Sequence, residues 1–199
     1  MCGSSIIIVA KRKSIADLTA LRSQAVYFYR SALRAQPNSA HYALAALSIP
    51  SVLKRLAPEA TFHLITQNVD NLSPRANQQL AALFPDEQIP RDALYEMHGR
   101  LFDVLCSNEA CKYSEFTLAS PICPALQGTE LLVDQGALDA DIPVDNLPRC
   151  SKCGSLARPG VVWFGEGIPL LETLDALVEE ADLCIVVGTS SEVRQMTIL

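Results

Sequence analysis

The chain has 199 residues, 49% of them hydrophobic, with 16 basic against 22 acidic side chains and a net charge of −6. That composition supports a real core and excludes bulk disorder; the acidic balance excludes a nucleic-acid surface, and no apolar run nears the roughly 18 residues of a membrane span. One domain, or one domain with an inserted module, is the expectation.

In chain order, Ile6 to Val9 reads as a buried strand of β-branched residues within the apolar stretch Ile6–Ala10. Ser14 with Asp17 resembles a helix start, and Ile15, Leu18, Leu21, Ala25, Tyr29 and Leu33 recur at helical spacing up to Pro37. Asn38 or Ser39 caps a second, alanine-rich helix through about Leu56. Phe62 to Ile65 is a strand that ends in Thr66-Gln67-Asn68-Val69-Asp70. Polar residues at the carboxyl end of a strand in an α/β sheet are where ligands sit.

From about Tyr95 to Leu105 the chain leads into a cysteine-bearing module, whose middle, Ser120 to Pro148, is a Pro-, Gly- and Asp-rich loop. A strand at Val161–Phe164, a helix near Leu171–Glu180 and a strand at Leu183–Val187 follow. Strands alternating with helices predict an α/β fold, a doubly wound parallel, Rossmann-like sheet with an inserted small zinc-binding module. The expected boundaries are residues 1–100 and 159–199 for the two parts of the sheet domain and 101–158 for the module.

Cys106 and Cys111, then Cys150 and Cys153, form two pairs at metal-ligand spacing, with Gly154 supplying the knuckle turn of the second. The 38 residues between Cys111 and Cys150 exceed the span of a compact zinc ribbon. Four thiolates leave no open position for water, so the zinc is read as structural. Cys2, Cys123 and Cys184 are read as core thiols. Seven cysteines without a secretory signal predict a reducing, intracellular compartment. The stretch Met1–Lys13, ending in Lys11, Arg12 and Lys13, is too short to separate mitochondrial from cytoplasmic or nuclear residence. His98, before Gly99, carries an imidazole, the side chain suited to general-base work near neutral pH, and Gly188-Thr189-Ser190-Ser191 offers N–H groups and hydroxyls after an apolar strand.

Thr66-Gln67-Asn68-Val69-Asp70-Asn71-Leu72, then His98-Gly99, the two cysteine pairs, Arg158-Pro159 through Trp163-Phe164-Gly165-Glu166, and Gly188-Thr189-Ser190-Ser191-Glu192-Val193 occur in an order that resembles the sirtuins, NAD-dependent protein lysine deacylases. The segment Phe116 to Pro148 looks like that of the class III members, which remove succinyl, malonyl and glutaryl groups. The resemblance implies that His98 is the base acting on the ribose of NAD. It also implies that Gln67, Asn68, Asp70, Gly188, Thr189 and Ser190 hold the cofactor. Val162, Phe164, Gly165 and Glu166 would form the edge to which an extended acyl-lysine peptide adds as a strand. Tyr27 and Arg30, one helical turn apart, would read the carboxylate of an acidic acyl group. Expected ligands are thus NAD, one structural zinc ion and an acylated-lysine peptide, with no nucleic acid and no membrane.

The chain departs from the family pattern at both ends. The Gly-Ala-Gly-x-Ser turn over the cofactor phosphates is absent after Ile6–Ala10, and the chain stops at Leu199, before the strands that hold the adenosine. Weak NAD binding is therefore expected of the 199-residue chain. The alternative readings are a catalytically inactive zinc-bearing paralogue that binds acyl-lysine peptides, and an unrelated zinc-ribbon module, which the apolar α/β strands disfavour.

Overall fold

The computed structural model describes residues 32–129, 142–163 and 166–188. The first expected strand, most of the first helix, Cys2, Tyr27, Arg30, Phe164, Gly165, Thr189 and Ser190 lie outside those residues. Residues 32–34 are helical and stop short of Pro37. Asn38, not Ser39, caps α1 (Ser39–Leu47): its side chain accepts from the N–H groups of Ala40 and His41, and the His41 side chain reaches back to close a capping box.

The single helix expected through Leu56 is corrected to two. Ile49 turns extended and is fully buried, and Pro50 opens α2 (Pro50–Leu56). Proline disfavours a helical conformation in the residue before it and lacks the N–H that the helix interior needs, but it fits the first turn. Beyond strand β1 (Leu64–Thr66), α3 (Leu72–Ala81) fills a stretch where no helix was expected. Its Pro74 falls in the first turn, where the missing N–H has no partner to lose. Buried Ala45 and Ala76 let α1 and α3 pack together, and the Tyr42 hydroxyl donates to Gln79 Oε1 at 2.6 Å.

Strand β2 (Leu94–Glu96) pairs parallel with β1, Thr66 opposite Glu96. Beyond Met97 and His98 the chain enters an antiparallel sheet of β3 (Gly99–Cys106), β4 (Ser114–Phe116) and β5 (Ala157–Val161), in the order β4-β3-β5. The strand expected at Val161–Phe164 is thereby shifted upstream. Its last ladder contact is the Val162 N–H donating to the His98 carbonyl at 2.8 Å, because the partner chain turns away there toward β2. Leu101, Phe102 and Val161 form the core with Ala32, and Val69, Ile122 and Trp163 pack against them.

Helix α4 (Leu171–Glu179) matches expectation and buries Leu174. The strand expected at Leu183–Val187 is not formed: the segment pairs with no other among the described residues, and Leu183, Ile185 and Val187 are each about three-quarters exposed. A β-strand is a pairing, and among the described residues this apolar run has none. Cys184, read as a core thiol, is accordingly exposed, and Cys123 is half-buried with its Sγ 3.4 Å from the Asn146 carbonyl oxygen. Among the described residues no helix is long and apolar enough to cross a membrane.

Two glycines set how closely β3 and β5 approach. Gly99 has φ +76°, and a Cβ there would collide with the Gly160 carbonyl oxygen; a Cβ on Gly160 would sit 2.6 Å from Asp103 Cβ. Gly99→Ala should therefore lose about 2–4 kcal/mol of stability through left-handed strain plus backbone collision. Urea denaturation checks this, and a loss below about 1 kcal/mol would show that the strands can spread without cost.

Candidate functional site

Parallel pairing decides where His98 stands. Continuing past Thr66 opposite Glu96, the Met97 N–H donates to the Thr66 carbonyl at 3.0 Å and the Leu101 N–H to the Val69 carbonyl at 2.9 Å. His98 is thereby carried alongside the Gln67–Asp70 loop, and its Nδ1 lies 3.2 Å from the Gln67 carbonyl oxygen. A carbonyl only accepts, so Nδ1 donates and the lone pair of the neutral ring is left on Nε2.

The loop is held by its own polar groups. The Asn68 N–H donates to Thr66 Oγ1 at 3.1 Å, the Asp70 carboxylate accepts from the Leu72 N–H at 2.9 Å, and Asn71 takes the left-handed conformation that starts α3. Gln67 and Asn68 are exposed while Asp70 is half-buried. Such a cluster of amide and carboxylate groups at a strand's carboxyl end, beside an imidazole whose Nε2 has no partner among the described residues, fits the hydroxyls of a ribose. Of the expected phosphate-side residues only Gly188 is described; it is exposed, with φ +69°. Val162 is half-buried, and the Glu166 side chain folds back to accept from the Trp163 N–H at 3.0 Å and from Arg158 Nη1 at 3.2 Å.

Cys106, Cys111, Cys150 and Cys153 converge at the far end of the β3–β5 ladder. Their Sγ atoms all lie within 4.8 Å of one another, with Cys106–Cys153 at 3.4 Å and Cys111–Cys150 at 3.9 Å. A tetrahedral zinc site with bonds of about 2.3 Å has sulfur–sulfur edges near 3.8 Å, so the set fits one zinc ion. Each pair forms the same knuckle: the Asn108 N–H donates to Cys106 Sγ and the Lys152 N–H to Cys150 Sγ, both at 3.4 Å, two residues on. Gly154, at φ +74°, makes the expected turn, and its N–H donates to the Cys150 carbonyl at 2.9 Å.

The thiols differ. Loss of solvent contact pushes Cys106 up to about 12 and raises Cys111, whereas the hydroxyl and N–H of Ser155 bring Cys153 down to about 6. Replacing any one of the four by serine should drop zinc content well below one per chain and unfold the β4-β3-β5 sheet, since structural zinc contributes on the order of 10 kcal/mol to small modules. Elemental analysis with circular dichroism is the check. Protons compete with zinc for thiolates, so affinity should fall steadily as pH is lowered.

A residue that the sequence reading passed over lies two positions before His98. Glu96 lines a cavity of about 400 Å³ with Arg91, Arg100, Asp103 and Leu170. Its Oε1 and the Asp103 Oδ1 are buried without a hydrogen-bond partner among the described residues. Burial pushes Glu96 up to about 7, against the pull of Arg100 and with the added repulsion of Asp103 and Asp70. Nothing in sequence marks it, because its protonation depends on three-dimensional neighbours.

A carboxyl raised in the folded state holds its proton between its ordinary 4.5 and about 7, so the folded chain binds more protons there and stability declines as pH climbs through that window. Glu96→Gln should accordingly be more stable than the parent at pH 8, with the difference shrinking toward about pH 4.5. Paired denaturation curves decide it; a difference independent of pH would assign the effect to packing.

A model of the Sir2 family matches residues 7–195. A protein from Candida albicans named NAD-dependent protein deacylase is 36% identical over 192 residues, covering 81% of this chain and 57% of its own length. The dog protein named NAD-dependent protein deacylase sirtuin-5, mitochondrial, is 40% identical over 174 residues, covering 84% and 49%. Among solved structures, a mutant Sir2 homologue in complex with ADP-ribose matches with TM-score 0.61 and 32% identity, over 90% of this chain and 55% of the other. A Sir2 homolog–NAD complex matches with TM-score 0.56 and 36% identity, over 84% and 50%. The chain spans about half the length of the relatives it matches. The fold is therefore the α/β, Rossmann-like fold of those proteins, carrying a module whose four cysteines can hold a structural zinc.

Proposed function

Because the chain belongs to the Sir2 family, we propose that it works as an NAD-dependent protein lysine deacylase of the desuccinylase, demalonylase and deglutarylase type. The observation that carries this reading is the double attachment of His98. Its ring bonds to the Gln67 carbonyl and its own backbone carbonyl accepts from Val162 N–H, so the Gln67–Asp70 loop and the end of β5 both attach to this one residue.

When bound, NAD supplies the ribose carbon that the acyl oxygen attacks and the ADP-ribose that carries the acyl group away, with release of nicotinamide. Gln67, Asn68 and Asp70 orient the nicotinamide-side ribose, and Gly188, Thr189 and Ser190 line the dinucleotide site. His98 accepts a proton at Nε2 from a ribose hydroxyl, its tautomer fixed by the Gln67 carbonyl. Val162, Phe164, Gly165 and Glu166 make the edge for the acylated peptide. Cys106, Cys111, Cys150 and Cys153 hold the structural zinc. Tyr27 and Arg30 read the acyl carboxylate, a charge-assisted contact that favours succinyl-lysine over acetyl-lysine. Residues 1–100 and 159–199 form the cofactor domain and residues 101–158 the zinc module.

Nicotinamide release from NAD in the presence of a succinyl-lysine peptide is the direct test. His98→Ala should lower turnover about a hundredfold or more with zinc content unchanged; near-parental rates would move the base elsewhere. Arg30→Met should lower succinyl-lysine turnover about tenfold to a hundredfold relative to acetyl-lysine, in keeping with a contact of roughly 1.5–3 kcal/mol. Equal losses on both substrates would make Arg30 structural.

A further inference from the structure

Glu96 and Asp103 stand on the two arms of the corner that presents His98. The chain leaves β2 at Glu96, turns through Met97 and His98, and enters β3 at Gly99 with its left-handed φ of +76°. Three backbone bonds hold this corner: the Met97 N–H to the Thr66 carbonyl at 3.0 Å, the Leu101 N–H to the Val69 carbonyl at 2.9 Å and the Val162 N–H to the His98 carbonyl at 2.8 Å. All three tie the corner to other segments, and none of them joins its two arms to each other.

Both carboxyl groups line one pocket. Asp103 falls in the stretch of β3 that has no partner on β5, and its side chain is only 17% exposed. Arg100 Nε and Nη2 both go to the same oxygen of Asp103, Oδ2, at 2.8 and 2.7 Å. Asp103 Oδ1 is left buried, as is Glu96 Oε1, and neither has a hydrogen-bond partner among the described residues. Two ionised carboxylates only accept, so they cannot satisfy each other. A single proton between them turns one into a donor and pairs both orphaned oxygens at once. Since Arg100 already pairs with Asp103, the proton belongs on Glu96.

We infer that Glu96 donates this proton to Asp103 Oδ1, a carboxyl–carboxylate hydrogen bond that braces the corner and makes Glu96 and Asp103 positioning residues for His98. Burial is the main cause that pushes Glu96 up to about 7, against the pull of Arg100 and with the repulsion of Asp103 and Asp70, so the brace is formed below that pH and lost above it. The other polar groups around the pocket are Arg91, from the turn before β2, and Tyr95; from the α4 side come Pro169 and Leu170, neither of them charged. Once the proton leaves for solvent, Glu96 repels Asp103 and Asp70 with Arg100 as the near counter-charge, and the arms are pushed apart. Asp70 belongs to the loop that the His98 ring bonds, so loss of the brace reaches the imidazole from both sides. The bearing on turnover rests on the reading of His98 as the base; the brace itself does not.

The whole chain with zinc bound, free of cofactor and peptide, is followed from about pH 5 to about pH 9 by amide hydrogen exchange and by the carboxyl-carbon NMR signal of Glu96. In the parent, protection factors of the Met97, Leu101 and Val162 N–H groups, corrected for the intrinsic pH dependence of exchange, should fall about tenfold as pH rises through about 7, in step with the Glu96 signal. In Glu96→Gln, whose amide still donates and cannot ionise, the fall should be absent. His41 and His63 are untouched in that variant, so a fall carried by them would persist. Asp103→Asn should move the Glu96 midpoint down by about one pH unit, because it removes the repelling charge. A Glu96→Gln chain that loses protection as the parent does overturns the inference. So does an Asp103→Asn chain whose Glu96 midpoint stays at about 7, since burial alone would then hold the proton. Parent protection that is flat across the range overturns it as well. None of these readouts uses NAD or acyl-lysine, so each such result sinks the brace and leaves the deacylase reading to its own nicotinamide-release test.

Discussion

One close approach governs the rest of the molecule: β3 and β5 meet at Gly99 and Gly160 with no room for a Cβ on either. Only that separation lets Val162 N–H reach the His98 carbonyl. The same residue is held on its other side by parallel pairing of β2 with β1, which brings its ring to Gln67. A side chain on either glycine would push apart the strand that carries the imidazole and the strand that leads to Trp163. The site is thus a junction between a parallel and an antiparallel sheet, and its precision is that of backbone hydrogen bonds rather than of long side chains.

The four cysteines act on this junction from a distance. Cys106 ends β3 and Cys153 lies four residues before β5 begins, so a cation bound by both clamps the ladder at the end opposite His98. Without it, Cys106 and Cys111 resist ionising because they have lost solvent contact. The metal stabilises because the fold has already gathered its four ligands in one place.

Features written in local chemistry were legible in sequence. The cysteine pairs, Gly154, a cap at Asn38 or Ser39 and the helix at Leu171 needed only spacing or side-chain type, whereas Gln67, Asn68, Asp70 and His98 were singled out through the family resemblance. Features that depend on a partner were not. The apolar run Leu183–Val187 reads as strand from β-branched content, yet pairing makes a strand, and among the described residues it has none. The break at Ile49 was announced by Pro50 and lost in an alanine-rich run that looked continuous. Pro74 obscured α3 for the opposite reason, since a proline in the first turn costs nothing. Glu96 and the Arg158–Glu166 contact have no sequence signal at all: one takes its character from burial, the other from a fold that brings residues eight apart into contact.

The irregularity inside β3 has a consequence for how the chain tolerates change. Arg100 opposes Gly160, yet the next ladder contact joins Val104 to Pro159, so Leu101, Phe102 and Asp103 have no partner on β5. Leu101 and Phe102 drop into the core, and Asp103 pairs with Arg100 at 2.7 Å. The strand is divided into two short ladders separated by a packed joint, one holding the cysteines and the other holding His98. The segment between Cys111 and Cys150 is anchored at the first ladder, yet its Ile122 packs on Leu101, Phe102 and Val161, so a change in that segment is felt at the core the two ladders share.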